Sequence, residues 1–454
     1  MWEIIIVILA VVFVLGVAIN IHEFGHFIVA KMFGMRVEAY SFFGLGPRIW
    51  GFKRGHTDYR ISAIPLGAYV KLYGDEVTAP LEGGASDEEK VPESELYELR
   101  PRWQKFLVMV GGPFMNILLA LAIPFGAAVL YGVPSMPAPI VGMVAPEGAA
   151  ARAGIQPGDR IVSFDGMENP TWERVSNDSR ISPERPLPIT VDRGGQQMPL
   201  TITPDRRDIE GNIVGDLGLM PDTGVEPIEV GTIIEGGPAA ASGLEKGDRL
   251  IAFNGTTVRN RMDLTQQIRD NKDAPAVLTI ERNGEPQQIT TAARLDNDGV
   301  YRIGIGFNTA NITTREPVGI AGAAAYAANT NLEILRLTGR VFGQLFSGER
   351  SVKDAGLAGP VGIVSIIATV VTEAGFGGLL FILGLISLNL GIFNLLPIPL
   401  LDGGQIMVLG IEKVLSWFGA TLSMAWREKI QMAGLGIILL LMVFTLFLDI
   451  SRFF

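Results

Sequence analysis

Residues 4–26 read Ile4-Ile-Ile-Val-Ile-Leu-Ala-Val-Val-Phe-Val-Leu-Gly-Val-Ala-Ile-Asn-Ile21-His22-Glu23-Phe24-Gly25-His26, an uncharged run that closes on an HExxH motif. A run of this length approaches the ~20 apolar residues that cross a hydrocarbon core, so the helix carrying the motif is a membrane helix. Histidines four apart share one helical face. Both imidazoles can therefore reach one metal ion, with Glu23 close enough to polarise a bound water. The chain has three histidines in 454 residues, and two at this spacing around a glutamate argue against coincidence. Ionisable groups in or beside a span are costly and point to function.

Composition extends this reading. Hydrophobic residues make up 48% of a chain too long for one compact domain, so membrane spans should alternate with soluble modules. Cysteine is absent, which leaves His, Asp and Glu to hold any zinc. A formal charge of −10 without a basic stripe argues against nucleic acid as a partner. Much of the acidity is local: Asp75, Glu76, Glu82, Asp87, Glu88, Glu89, Glu93, Glu95 and Glu98 read as a solvated linker.

Four uncharged runs are long enough to span: Ile4 to Ile21, Phe106 to about Val133, Ala374 to Leu401, and Ile430 to Leu448. The first lacks a basic leader and a small-residue cleavage site, and reads as a retained helix reaching about Phe33. Lys31, Arg36, Arg48, Lys53, Arg54, Arg60, Lys71, Lys90, Arg100, Arg102 and Lys105 lie between the first and second spans. The positive-inside rule makes that segment cytoplasmic, puts both termini outside and places about Ala138 to Thr314 on the outer face. The motif then lies near the cytoplasmic side. The third span, running inward, brings Asp402 to a similar depth.

A catalytic zinc takes three protein ligands and keeps a fourth position for water. His56 lies in the basic, exposed-looking stretch Lys53-Arg54-Gly55-His56. Asp402 is the better candidate, a lone acid after a long uncharged run and followed by Gly403-Gly404. An Asp-Gly turn capping a helix is its other reading. Before it stands Asn389-Leu-Gly-Ile-Phe-Asn394-Leu-Leu-Pro397-Ile-Pro399-Leu-Leu-Asp402, in which two prolines must unwind the span. Such backbone is tolerated at membrane depth only where it is buried in protein or lines a watery cavity. Asn389 and Asn394, with Pro397 and Pro399, suit gripping an extended peptide, although either amide could instead join helices.

HExxH in a first span, Gly111-Gly112-Pro113-Phe114-Met115-Asn116 in a second and Asn-Leu-Leu-Pro-Ile-Pro-Leu-Leu-Asp-Gly in a third resemble the site-2 proteases, the intramembrane zinc metalloproteases. The likeness spans the chain with every motif in order. It implies one Zn2+ held by His22, His26 and Asp402, with Glu23 as general base. It implies as substrates single-span membrane proteins already shortened outside, such as an anti-sigma factor, and remnant signal peptides. It also implies a multi-pass protein of a bacterial inner membrane, with periplasmic termini and modules.

Gly154-Ile-Gln-Pro-Gly-Asp159-Arg-Ile161 recurs as Gly243-Leu-Glu-Lys-Gly-Asp248-Arg-Leu250, 89 residues on. That period is domain-sized, so two copies of one module stand in tandem. The signature resembles PDZ domains of bacterial proteases, which take a peptide as an added strand. Two copies resemble the branch that regulates an envelope-stress sigma factor. The modules could equally be bulk that excludes large outer domains.

Asp58 to Ile64 and Ala68 to Tyr73, joined by Pro65-Leu66-Gly67, read as a hairpin, either a small cytoplasmic one or one whose edge, at Tyr69, could hold the substrate as an added strand; the resemblance implies a membrane-re-entrant sheet. The fold expected is a multi-span α-helical membrane protein of four transmembrane helices with a re-entrant β-hairpin and two extracytoplasmic α/β PDZ-like domains. Its parts are 1–33, the first helix with the motif; 34–100, the β segment and acidic linker; 101–134, the second helix; 138–225 and 226–312, the modules; 315–372, an amphipathic segment; 374–404, the third span; and 428–450, the fourth. The rival of a different class is a non-catalytic membrane scaffold displaying peptide-binding modules, which would have no use for Glu23.

Overall fold

The computed structural model describes residues 2–64, 67–74, 91–209, 212–224, 228–296, 299–307, 315–352, 354 and 358–451. The acidic cluster at positions 75–89 and the Pro65-Leu66 link lie outside them. The chain divides into two units: Met1–Gly132, Pro317–Phe342 and Gly356–Phe454 in one, Val133–Glu316 and Gly343–Ala355 in the other.

In the first unit α1 (Trp2–Met32) leads into β1 (Val37–Phe43), β2 (Leu45–Arg54), β3 (Thr57–Ile64) and β4 (Tyr69–Leu72). Then come α2 (Arg102–Tyr131), α3 (Ile320–Ser347, whose residues from Gly343 on are counted with the other unit), α4 (Pro360–Asn394), α5 (Asp402–Trp417) and α6 (Met424–Ser451). Among the described residues α1, α2, α4 and α6 are long and apolar enough to cross a membrane. The three that carry the motifs pack through small residues, as helices without a hydrophobic drive between them must. A Cβ on Gly25 would lie 2.1 Å from Gly111 O, so α1 and α2 meet backbone to backbone. Ala10, Val14 and Ala18 of α1 are buried with Ile367, Leu379, Ile382 and Leu383 of α4.

The expected hairpin is not formed. The four strands make one sheet in the order β2-β3-β1-β4, with β1 parallel to β3 and antiparallel to β4. The tight turn, at Gly55-His56, instead joins β2 to β3. Val37, Tyr40, Val70 and Leu72 pack with Ala30 and Val108, which fixes the sheet against α1 and α2 beside the motif.

The segment 315–372 does not remain one amphipathic stretch: α3 ends at Ser347 and α4 begins at Pro360, upstream of the expected start at Ala374. Glu373, which interrupts the apolar run, is exposed on this helix. The backbone breaks beside it, at Gly375 (φ 60°, ψ −148°), a conformation glycine adopts without strain. The face of α3 bearing Ala323, Ala327 and Asn331 is buried, and Asn331 Nδ2 donates to Ala120 O of α2 at 3.1 Å. At its other end α4 stops at Asn394. Pro397 and Pro399 lack the N–H to continue it, Leu400 turns through φ 80°, and α5 starts at Asp402.

In the second unit the two repeats fold alike. The first has strands in the order 196–202, 187–193, 160–164 and 167–168 with the helix Trp172–Arg180; the second has 285–292, 275–282, 249–253, 228–233 and 305–307 with the helix Arg261–Asn271. Phe164, Leu187, Ile189 and Ile202 fill one core and Leu250, Leu264, Leu278 and Ile280 the other. The repeated Gly-Asp pair explains itself here. Asp159 is buried, bonded by Arg193 Nε at 2.7 Å and Gln156 N at 2.8 Å; Asp248 repeats this with Arg282 at 2.7 Å and Glu245 N at 2.8 Å.

Candidate metal centre

One turn of α1 separates His22 from His26, and their rings meet edge to face at 4.8 Å. Asp402, the first residue of α5, is brought to them by the proline turn. Its Oδ2 lies 3.0 Å from His22 Nε2 and its Oδ1 3.4 Å from His26 Nε2, while the two Nε2 atoms are 3.2 Å apart. Ligand atoms of the three residues all fall within 4.8 Å of one another. Asp402 Oδ2 is buried and accepts no hydrogen bond. Two imidazole nitrogens and a carboxylate with an orphaned oxygen, all aimed at one point, are a donor set that fits a zinc ion.

The outer nitrogens decide whether the inner ones have lone pairs to offer. His26 Nδ1 lies 2.7 Å from Val108 O, so it carries the proton and leaves Nε2 bare. His22 Nδ1 faces Asn116 Nδ2 at 3.3 Å, while Asn116 Oδ1 is buried without a partner. Turning that amide by a half rotation, which exchanges atoms of nearly the same size, lets Oδ1 accept the Nδ1 proton and frees His22 Nε2. Ser387 Oγ donates to Asn116 O at 2.9 Å and ties α4 to the same turn of α2. Gly112 makes room for the centre: a Cβ there would lie 2.4 Å from His26 Nε2 and 2.8 Å from His22 Nε2.

These residues open onto a cavity of ≈ 340 Å³, also lined by Glu23, Val70, Leu72, Asn394, Leu400 and Gln405. Glu23 stands beside the backbone of Val70. Asn394 Nδ2 is 3.3 Å from His22 Nε2. Asn389, Pro397, Pro399 and Tyr69 are not among the lining residues described. Pro397 and Pro399 shape the turn. Tyr69 is buried, its ring 5.1 Å from the Arg60 guanidinium, one residue out of step with Val70 and Leu72. His56, at the β2–β3 turn, takes no part in the cluster. From the sequence alone Asn116 carries no assignable role. Its signal was weak, a single polar residue in an apolar span.

A model of peptidase family M50 matches residues 10–441. The regulator of sigma-E protease RseP of Escherichia coli (strain K12) is 31% identical over 466 residues, which cover 96% of this chain and 97% of that protein. A putative zinc metalloprotease of Vibrio cholerae is 30% identical over 467 residues, 98% of each. Among solved structures, the PDZ domain of the SdrC-like protein from Listeria monocytogenes covers 19% of this chain and 93% of its own, at 18% identity and a TM-score of 0.17.

Proposed function

The chain belongs to peptidase family M50 and is an intramembrane metalloprotease; we propose that it binds one zinc ion through His22, His26 and Asp402 and cleaves the spanning segment of single-span membrane proteins. What carries this reading is the convergence of those three side chains on one point. Zinc, when bound, supplies Lewis acidity toward a carbonyl oxygen and makes water a better nucleophile. The chain's own residues do the rest. Glu23 takes the proton of the attacking water and passes it to the leaving amine. Asn394 is an amide donor within reach of the scissile carbonyl. The substrate lies extended along β4, an edge strand among the described residues, with Val70 and Leu72 on the cavity side.

The substrate class we propose is an anti-sigma factor shortened on its outer side, with remnant signal peptides as a second class; the relative named as a regulator of sigma-E protease supports this reading. The termini and the tandem modules, read as PDZ domains, lie outside, and the metal centre lies near the cytoplasmic side. The basic residues between α1 and α2 support that orientation. Zinc content and cleavage of a spanning substrate test the assignment. Glu23→Gln should keep its zinc and lose about 10²-fold or more in rate, the scale of a lost general base. Asp402→Asn should lose zinc affinity. Cleavage by the first variant, or undiminished affinity in the second, refutes the roles.

A further inference from the structure

Residues 430–448 carry no charge, and the acid that ends this run, Asp449 of α6, is only 1% exposed. It accepts two backbone hydrogen bonds from another helix. Gly359 N donates to Oδ1 and Gly362 N to Oδ2, each at 2.9 Å. Both donors belong to the first turn of α4, where N–H groups have no partner within the helix. Gly359, the N-cap residue, has no side chain to cap that turn, so α6 supplies the carboxylate, at the end of the helix where a negative charge is favoured. Two glycines admit it. A Cβ on Gly359 would lie 2.6 Å from Asp449 Oδ2, and one on Gly362 2.9 Å from Oδ1.

At the other end α6 meets the turn that presents Asp402. A Cβ on Gly434 would lie 2.3 Å from Pro399 O, and Arg427 Nη2 pairs with Glu412 of α5 at 2.5 Å. The helix is thus fastened to α4 before the Gly375 break and to the α4–α5 turn after it. We propose that Asp449 is a positioning residue for proteolysis: by clamping α6 to the first turn of α4 it keeps α6 braced on Pro399, and so keeps Asp402 in place. This rests on the assignment of Asp402 as a metal ligand.

The full-length protein, in detergent or nanodiscs, is tested as Asp449→Asn, Asp449→Leu and Asp449→Glu. The Leu variant keeps the volume without an acceptor; the Glu variant keeps both oxygens. Loss of zinc to a chelator should be about 10-fold faster in the Asn and Leu variants, as when support outside the ligands is removed from a metal site. Their kcat should fall about 10-fold with KM unchanged within about twofold, because the substrate surface is untouched. Amide exchange at Gly359 and Gly362 should rise in both, and Asp449→Glu should recover most of the loss. Wild-type zinc release in Asp449→Leu overturns the proposal by reducing the residue to packing. If Asp449→Asn does not fold, the Leu and Glu pair decides alone. Glu23→Gln runs beside them: a cleaving Glu23→Gln refutes the catalytic assignment, whereas an inactive one beside a normal Asp449→Leu refutes only the role of Asp449.

Discussion

His22 can offer Nε2 to a metal only while its Nδ1 holds a proton, and Asn116, with its amide turned so that Oδ1 faces the ring, is the group placed to take that proton's hydrogen bond. The side chain is fully buried, so nothing from solvent replaces it. Asn116→Leu should therefore weaken zinc binding by about 10- to 100-fold, the usual effect of removing such a partner, and a competition titration against a chelator would measure it. Asn116→Asp, which still accepts, should fall between. At this scale the cluster of His22, His26 and Asp402 was legible and the group beside His22 was not. HExxH states its own spacing, and Asp402 stands out as the lone acid after an uncharged run. Asn116 offers only a hydrogen-bonding group in an apolar helix, and which ring nitrogen it meets depends on how α2 crosses α1.

That crossing is set by α1 and α2 touching at Gly25, Gly111 and Gly112. A methyl group at Gly112 would press on the Nε2 atoms of both imidazoles. Gly112→Ala should abolish zinc retention and cleavage, and cost about 1–3 kcal/mol through overpacking, visible as a lower midpoint of thermal inactivation. Elements of this kind were readable as helices and only partly as neighbours. The apolar runs and the proline pair pointed to four long apolar helices and the break before Asp402, though not to the start of α4 at Pro360. The sheet was different: Pro65-Leu66-Gly67 suggests that β3 turns straight back into β4, yet β1 is inserted between them. Alternation along a strand tells which face is buried, and says nothing about which strand lies beside it.

At the scale of the whole molecule, the second unit can be tested apart from the chemistry of the first. Deleting residues 138–310 should let a substrate with its outer domain intact be cut, if the modules act as a size filter; continued refusal of that substrate in a cleavage assay counts against the filter. Acid should find the same unit's weak point. Burial alone would raise the carboxyls of Asp159 and Asp248, but the Arg193 and Arg282 guanidinium groups, with backbone N–H bonds, hold both below their ordinary 3.8. Each then binds fewer protons folded than unfolded around that value, so their contribution is complete well above pH 3.8 and is lost as pH falls through the lowered folded values. Hydrogen exchange across both modules of the intact protein should be flat from neutral pH down to about 5, after correction for intrinsic rates, and lose protection below about 4. Asp159→Asn should remove part of that acid dependence.

The two histidines are translated among the first residues of the chain and their carboxylate partner near its end. Between them the ribosome must make both modules, and the site closes only after α4 has been inserted and its proline turn has folded back. A chain stopped before Asp402 would hold the two histidines without the carboxylate that meets them. The separation of His26 from Asp402 along the chain means that the three side chains can meet only once α4 and the proline turn after it have been made.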